Sequence, residues 1–404
     1  MSIEAAAEQI ADKLSESDSL RIYGHHDADG IASAAIMCHA LNRLGKKFHL
    51  TIKDRISLQD IKKGEPTLLC DFGASLEELP EDVIVVDHHV PTFNGEFHAN
   101  PRLCGLDGEN ELSASGVAYI VASRMGDNRD LCGLALLGII GDRQNIAGKN
   151  KDIINEGIAN QFIIPKRGLK LAGRNPEEKL YTAVTPYLHG VSGDKETVSE
   201  IIQKSAADNE YSFKTLLSNV ILKAAPKTND RSLQSLWGDT YELQRGVIHD
   251  AYSMSAVIES CGLSNRGGLG ATLCLRMAQG VEEAWHVAIE HRLKVISTLK
   301  SISQTEESIP LFEVSDPATA GYVADSLAYD GLYDTPVFVI VKTDEKYLVS
   351  ARCPYGVEYD LSEFMKHIAK EGGGTGGGHK YRAGGTFENS GISRFKEGLK
   401  EAFA

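Results

Sequence analysis

Residues 20–30 read LRIYGHHDADG, an apolar run that passes directly into two histidines, an Asp-x-Asp pair and a glycine. The apolar run predicts a buried strand, and the 3.6-residue periodicity from Ile31 to Leu44 predicts the helix that follows it. The same arrangement recurs twice. TLLC at 67–70 runs into Asp71-Phe72-Gly73, and VIVV at 83–86 runs into Asp87-His88-His89. Short helical patterns such as Leu58–Lys62 lie between, so the first part of the chain alternates β and α and predicts a mainly parallel, Rossmann-like sheet. Open sheets of this kind gather their ligands at the carboxyl ends of the strands, where His25, His26, Asp27, Asp29, Asp71, Asp87, His88 and His89 all fall. LCGLALLGII at 131–140 predicts a buried helix, and Asp142 at its end supplies a further carboxylate for the same edge.

The 404 residues exceed one ordinary domain. The expected division is an α/β domain over 1–185, a mostly helical connector over 186–305, and a smaller C-terminal α/β domain with a mixed sheet over 306–404. That last part reads as strands at IPLFEV, TPVFVIVK and KYLVSAR, with helices near 318–327 and 361–370. The hydrophobic fraction of 42% and charged fraction of 24% are those of a globular protein. The N-terminus is acidic and helical, with no basic region preceding an apolar one, and no apolar run approaches the roughly 20 residues of a membrane span. The seven cysteines are scattered, with no CxxC, as expected of core thiols in a reducing cytoplasm. A net charge of −14 would repel a polyanion if spread evenly. Residues 351–404 nevertheless balance to +1, which sets the tail apart.

His25-x-Asp27-x-Asp29 places metal-capable groups within one turn, where two carboxylates can point at adjacent divalent ions. An ordinary helix cap would explain one aspartate and not the set. Asp87-His88-His89 adds a nitrogen ligand, a second imidazole for substrate and an acid to orient it. The letters Asp71-Phe72-Gly73 also match the magnesium motif of kinases, but no VAIK lysine or HRD loop accompanies them. Ligands of His and Asp without thiolate favour manganese or magnesium over structural zinc. Two such ions about 4 Å apart suit hydrolysis of a phosphodiester. In the tail, GGGTGGGHKYRAGG at 372–385 places side-chain-free amides at Gly376, Gly377 and Gly378 beside His379, Lys380 and Arg382, a combination suited to phosphate oxygens. It is not a P-loop, since GKS or GKT is absent. Arg352, at the end of SAR, adds a guanidinium that can grip a phosphate with two donors.

These motifs in this order resemble the DHH phosphoesterase superfamily, and the SAR and GGGH segments resemble its associated C-terminal domain. TPYLHGVSGD at 185–194 and HDAYSMSAVIESCGLSNRGGLGATLCL at 249–275 look like the segment found in archaeal RecJ-like members. The resemblance implies two divalent cations, manganese preferred and magnesium accepted. One would be held by Asp27 and Asp71 with His25, the other by Asp71, Asp29, His88 and Asp142. His89 would contact the scissile phosphate, with Asp87 and His26 just outside the ligands. Many DHH proteins carry a histidine four residues before the Asp-x-Asp; that position here is Tyr23, so His25 and His26 both stand as candidates for the nitrogen ligand. The C-terminal domain would bind substrate through Arg352, Gly376–Gly378, His379 and Arg382.

The activity expected is a cytoplasmic single-strand exonuclease on DNA or RNA in repair or replication, with 3′ to 5′ polarity favoured because the roughly 400-residue archaeal relatives include nucleases that degrade from the 3′ end. Its expected partners are single strands, a repair helicase or replication proteins, and a second copy of itself, with no membrane. Two alternatives use other features. An enzyme for short oligonucleotides, pAp or cyclic dinucleotides fits the negative charge better, and a non-catalytic scaffold subunit would keep the fold without turnover. A pyrophosphatase of the same superfamily is disfavoured by the GGGH tail.

Overall fold

The computed structural model describes residues 1–76, 79–206, 212–303 and 309–403. The chain divides into two compact units, Met1–Gly168 with Asp239–Ala288, and Leu169–Gly238 with Ile289–Ala404.

The first unit contains the expected parallel sheet. Its strands are β1 (Ser19–His25), β2 (Lys47–Lys53), β3 (Thr67–Cys70), β4 (Val83–Val86) and β5 (His98–Ala99), in the order β2-β1-β3-β4-β5 with every pair parallel. TLLC and VIVV are buried at every position, as strands covered on both faces must be. Their side chains alternate between two apolar clusters. Leu68, Cys70, Ile84 and Val86 join Ile22 in the larger core, while Leu69, Val83 and Val85 join Tyr23 in a smaller one.

Helices α1 (Ile3–Glu16), α2 (Ala28–Arg43), α3 (Ala114–Arg124), α4 (Cys132–Gly141) and α5 (Gly148–Ala159) build the larger core. α2 is buried almost all round, because α3, α4 and two helices from far along the chain, Ala251–Leu263 and Gly267–Cys274, pack on it. The stretch expected as a connector is largely helical but does not form a separate body. Met254, Val257, Ile258 and Cys261 bury against the first unit's core, whereas Val198, Leu216 and Val220 pack among second-unit residues. Residue 306, the expected start of the C-terminal domain, lies outside the described residues. Between Leu58 and Lys62 the chain makes only a short 3-10 turn, Leu58–Asp60.

A ribbon of β6 (Ile163–Leu169) and β7 (Trp237–Leu243) follows. In the second unit β8 (Leu311–Val314), β9 (Val337–Lys342), β10 (Lys346–Arg352), β11 (Thr375–Gly378) and β12 (Arg382–Glu388) form a sheet in the order β11-β12-β10-β9-β8. It is mixed, because β8 and β9 are parallel and the other pairs antiparallel. Among the described residues no helix is long and apolar enough to cross a membrane.

Close approach in the first unit depends on glycine at several helical positions, Gly138 among them. A Cβ at Gly138 in α4 would fall on Asp29 Oδ1 and Ser115 Oγ. Alanine normally favours a helix over glycine by about 1 kcal/mol. Here Gly138→Ala should instead destabilise by about 1–3 kcal/mol, since overpacking outweighs propensity. Urea unfolding followed by circular dichroism checks this; an unchanged or raised midpoint would mean that α4 can withdraw freely.

Candidate metal centre

Strand register sets the centre's positions. Gly24 pairs with Cys70 and Cys70 with Val86, so one residue further on His25, Asp71 and Asp87 stand side by side at the carboxyl edge. Asp71 takes φ +62°, the left-handed region. That conformation is unfavourable for most side chains but accessible to aspartate, and it turns the carboxylate back over the sheet edge. Its own amide is fixed by donating to the Val86 carbonyl at 2.8 Å.

Two groups of ligand atoms form around Asp71. His25 Nδ1 lies 2.7 Å from Asp27 Oδ2 and 3.2 Å from Asp71 Oδ2. His88 Nε2 lies 3.2 Å from Asp142 Oδ2, 3.4 Å from Asp71 Oδ1 and 3.9 Å from Asp29 Oδ2. Asp71 thus turns one oxygen to each group. Asp71 Oδ1 and Asp142 Oδ2 are buried and have no hydrogen-bond partner among the described residues. Buried carboxylate oxygens left in this state, beside imidazole nitrogens, are a donor set that fits a hard or borderline divalent cation. Of the two candidate histidines, His25 faces the carboxylates. The His26 ring packs beside it, centroids 4.7 Å apart, and burial together with the His25 charge lowers its pKa to about 4.

The surroundings orient each ligand. Asp27 Oδ1 caps α2 by accepting from the Gly30 amide at 2.9 Å, which leaves Oδ2 toward His25. Asp29 accepts from the Ala114 and Ser115 amides at 2.7 and 3.0 Å, at the positive end of α3. His88 Nδ1 donates to the Gly108 carbonyl at 2.6 Å, which points Nε2 at the carboxylates, the tautomeric arrangement a metal-binding imidazole needs. Gln144 Nε2 donates to the same carbonyl at 3.0 Å and is itself oriented by Asn150. Asp87 holds the DHH turn together: Oδ1 accepts from the His88 and His89 amides and from His89 Nδ1 at 2.8 Å, and Oδ2 accepts from the Ala74 amide. Asn100 and Arg102 donate to the carbonyls of His89 and His88. Sequence reasoning misses Gln144, Asn100, Arg102 and the α3 amides. Only Gln144 lies near a motif, two residues beyond Asp142.

Carboxylates this close disturb one another's ionisation. Burial, reinforced by Asp71, raises the Asp29 pKa to about 6, and burial with Asp29 raises Asp142 well above the carboxylate range. Burial opposes charge on His25 and His88, yet the surrounding aspartates prevail and hold both imidazoles well above their ordinary pKa. Burial likewise opposes charge on Asp27 and Asp87, but His25 keeps the first ionised and His89 the second.

The substrate-side candidates lie in the second unit. Arg352 is buried, ion-paired with Asp325 and donating to the carbonyls of Ala351 and Ala383. Arg382 is half-buried, with Nη2 3.8 Å from Asp325 Oδ2. Gly376, Gly377 and Gly378 lie on the edge strand β11. A Cβ at Gly376 would fall on the Met365 carbonyl, so that glycine also admits the helix Leu361–Glu371 against the sheet; Gly377 faces open space. His379 donates its amide to the Arg382 carbonyl at 2.8 Å in the turn joining β11 to β12.

Residues 19–139 match the model of the DHH family, N-terminal domain, and residues 313–404 match that of the DHHA1 domain. The chain belongs to the DHH superfamily. An uncharacterized protein of Methanocaldococcus jannaschii is 26% identical over 446 residues, covering 99% of this DHH chain and 96% of that one. The single-stranded-DNA-specific exonuclease RecJ of Bacillus subtilis is 28% identical over 193 residues, covering 42% of this chain and only 24% of the relative. The crystal structure of RecJ in complex with Mn2+ from Thermus thermophilus matches 99% of this chain and 54% of its own, with a TM-score of 0.63 and 18% identity. The DHH chain is RecJ-like in fold. Its N-terminal family match ends before Asp142, which completes the second ligand group just beyond α4, and before Gln144, which donates to the Gly108 carbonyl beside it.

Because His25 and His88 hold protons well above the ordinary imidazole pKa, a cation entering either group must displace one. Divalent binding should therefore strengthen as pH rises and release protons, more of them at the second group, where Asp29 and Asp142 are raised as well as His88. Calorimetric titration of MnCl2 at pH 6 and 8, in buffers of different ionisation enthalpy, tests this. Asp71→Asn should weaken binding at both groups; binding without proton release would contradict the assignment.

Proposed function

We propose that this chain is a divalent-metal phosphodiesterase that removes nucleotides from the 3′ end of single-stranded DNA or RNA, in repair or replication. The observation that carries the proposal is Asp71, whose two oxygens face two separate His and carboxylate groups at one sheet edge. The family match and the likeness to RecJ support hydrolysis of a phosphoester as the kind of reaction.

His25, Asp27 and Asp71 would hold one cation, and Asp29, His88 and Asp142, with Asp71 shared, a second. Manganese is preferred and magnesium is the alternative. Two bound ions of this kind supply an activated water and neutralise charge on the leaving oxygen. The side chains around them have separate tasks. Asp87 Oδ1 accepts from His89 Nδ1, which fixes the orientation of this partly exposed ring as a contact for the scissile phosphate. The Gly108 carbonyl and Gln144 keep the His88 ring from rotating. Arg382 would contact the strand with Gly376–Gly378 and His379, and Arg352 would contribute from behind by holding Asp325. The net charge of −14 favours a second reading, in which the substrate is a short oligonucleotide, pAp or a cyclic dinucleotide.

The decisive assay uses single strands of DNA and RNA labelled at either end with MnCl2, beside a dinucleotide and pAp. Stepwise loss from the 3′ end is expected, and turnover of the short substrates alone would favour the second reading. Asp71→Asn should lower kcat at least about 100-fold with the fold intact. Arg382→Ala should raise KM more than it lowers kcat, because a group that grips substrate equally in ground and transition states acts on binding. Equal losses of kcat and kcat/KM would place Arg382 in the transition state instead.

A further inference from the structure

The Asp27-x-Asp29 turn rests on a helix that enters the first unit from far along the chain. Helix Ala251–Leu263 is so close to it that a Cβ at Gly262 would fall on the His26 carbonyl oxygen. One turn earlier, the buried Glu259 sends Oε2 to the Ala28 amide at 2.6 Å. Ser255, one further turn back, donates to the Leu137 carbonyl at 2.8 Å and so ties the same helix to α4, which ends just before Asp142.

The first-turn amides of α2 are thereby shared between two carboxylates. Asp27 Oδ1 accepts from Gly30, and Glu259 accepts from Ala28. Unpaired amides at a buried helix N-terminus are costly and seek the nearest acceptor. Without Glu259, the carboxylate nearest the Ala28 amide in sequence is that of Asp27 itself. Engaging it would draw Asp27 Oδ2 away from His25 and Asp71, and would rotate the turn that also carries Asp29.

We propose that Glu259 is a positioning residue for the metal-binding turn: by taking the Ala28 amide, it leaves one oxygen of Asp27 free to serve as a ligand. This rests on the metal-dependent reading given above. The required feature is a hydrogen-bond acceptor at the end of the side chain, so glutamine should substitute and alanine should not.

The test uses the full chain with Glu259→Ala and Glu259→Gln. Calorimetry with MnCl2 should show affinity reduced about 10-fold in Glu259→Ala, the scale at which groups that orient metal ligands act, and largely restored in Glu259→Gln. Amide hydrogen exchange over residues 24–32 should be faster in the alanine variant and near wild type in the glutamine variant. If Glu259→Ala fails to fold by circular dichroism, Glu259→Gln against wild type decides, with preserved affinity expected. Unchanged manganese affinity and exchange in Glu259→Ala would overturn the proposal, as would a glutamine variant as impaired as alanine. Both measurements are made without substrate, so they decide the role of Glu259 even if no polynucleotide is cleaved; absence of manganese binding to the wild-type chain would instead remove the reading on which it rests.

Discussion

Carboxylates packed at one edge of a parallel sheet repel one another, and much of the first unit is organised around that repulsion. Two unit charges about 4 Å apart near a protein surface interact by about 4 kcal/mol, a large fraction of a domain's net stability. The protein meets it in three ways. Asp29 is committed to the amides that open α3, Asp27 caps α2, and His25 and His88 place protonated imidazoles among the acids. Among the described residues Asp71 has neither cap nor amide for its Oδ1, which lies beside the His88 and His89 rings. The centre is consequently built around an excess of negative charge that a divalent cation would relieve.

The second unit treats its charges differently. Arg352 is enclosed with Asp325 and two backbone carbonyls, and burial lowers its pKa by opposing its charge. Arg382 reaches the same carboxylate from the half-exposed side. Two guanidinium groups share one aspartate, and Arg382 adjoins Ala383, which pairs with Gly378 of the glycine edge strand β11. That is the kind of surface an anion can approach, in a chain that is acidic as a whole.

Much of this was legible in the amino-acid sequence because strand and ligand were contiguous. TLLC followed by Asp71 and VIVV followed by Asp87 name both the buried strand and the group at its end, and parallel pairing brings those ends together. Asp142 was legible from its helix, though nothing local placed it beside His88. The helices around 251–274 fall in a stretch expected only as a mostly helical connector, and their burial against α2 was not legible, because a helical tendency does not say which surface covers it. Gln144, Asn100 and Arg102 carry no signature, since each acts through a backbone carbonyl chosen by tertiary packing. The glycine run had two uses that composition cannot separate: Gly376 admits a helix, and Gly377 faces open space.

The first unit is discontinuous, and this bears on the order in which it is made. Every ligand of the two groups precedes residue 143, while residues 239–288, which complete that unit's core, follow a stretch belonging to the other unit. During synthesis the acidic residues leave the ribosome well before the helix that covers α2. Until that helix arrives, the apolar surface of α2 lacks part of its cover. Completion of the apolar cover over α2, whose first turn follows Asp27 and carries Asp29, therefore awaits closure of a split unit rather than the appearance of the ligands.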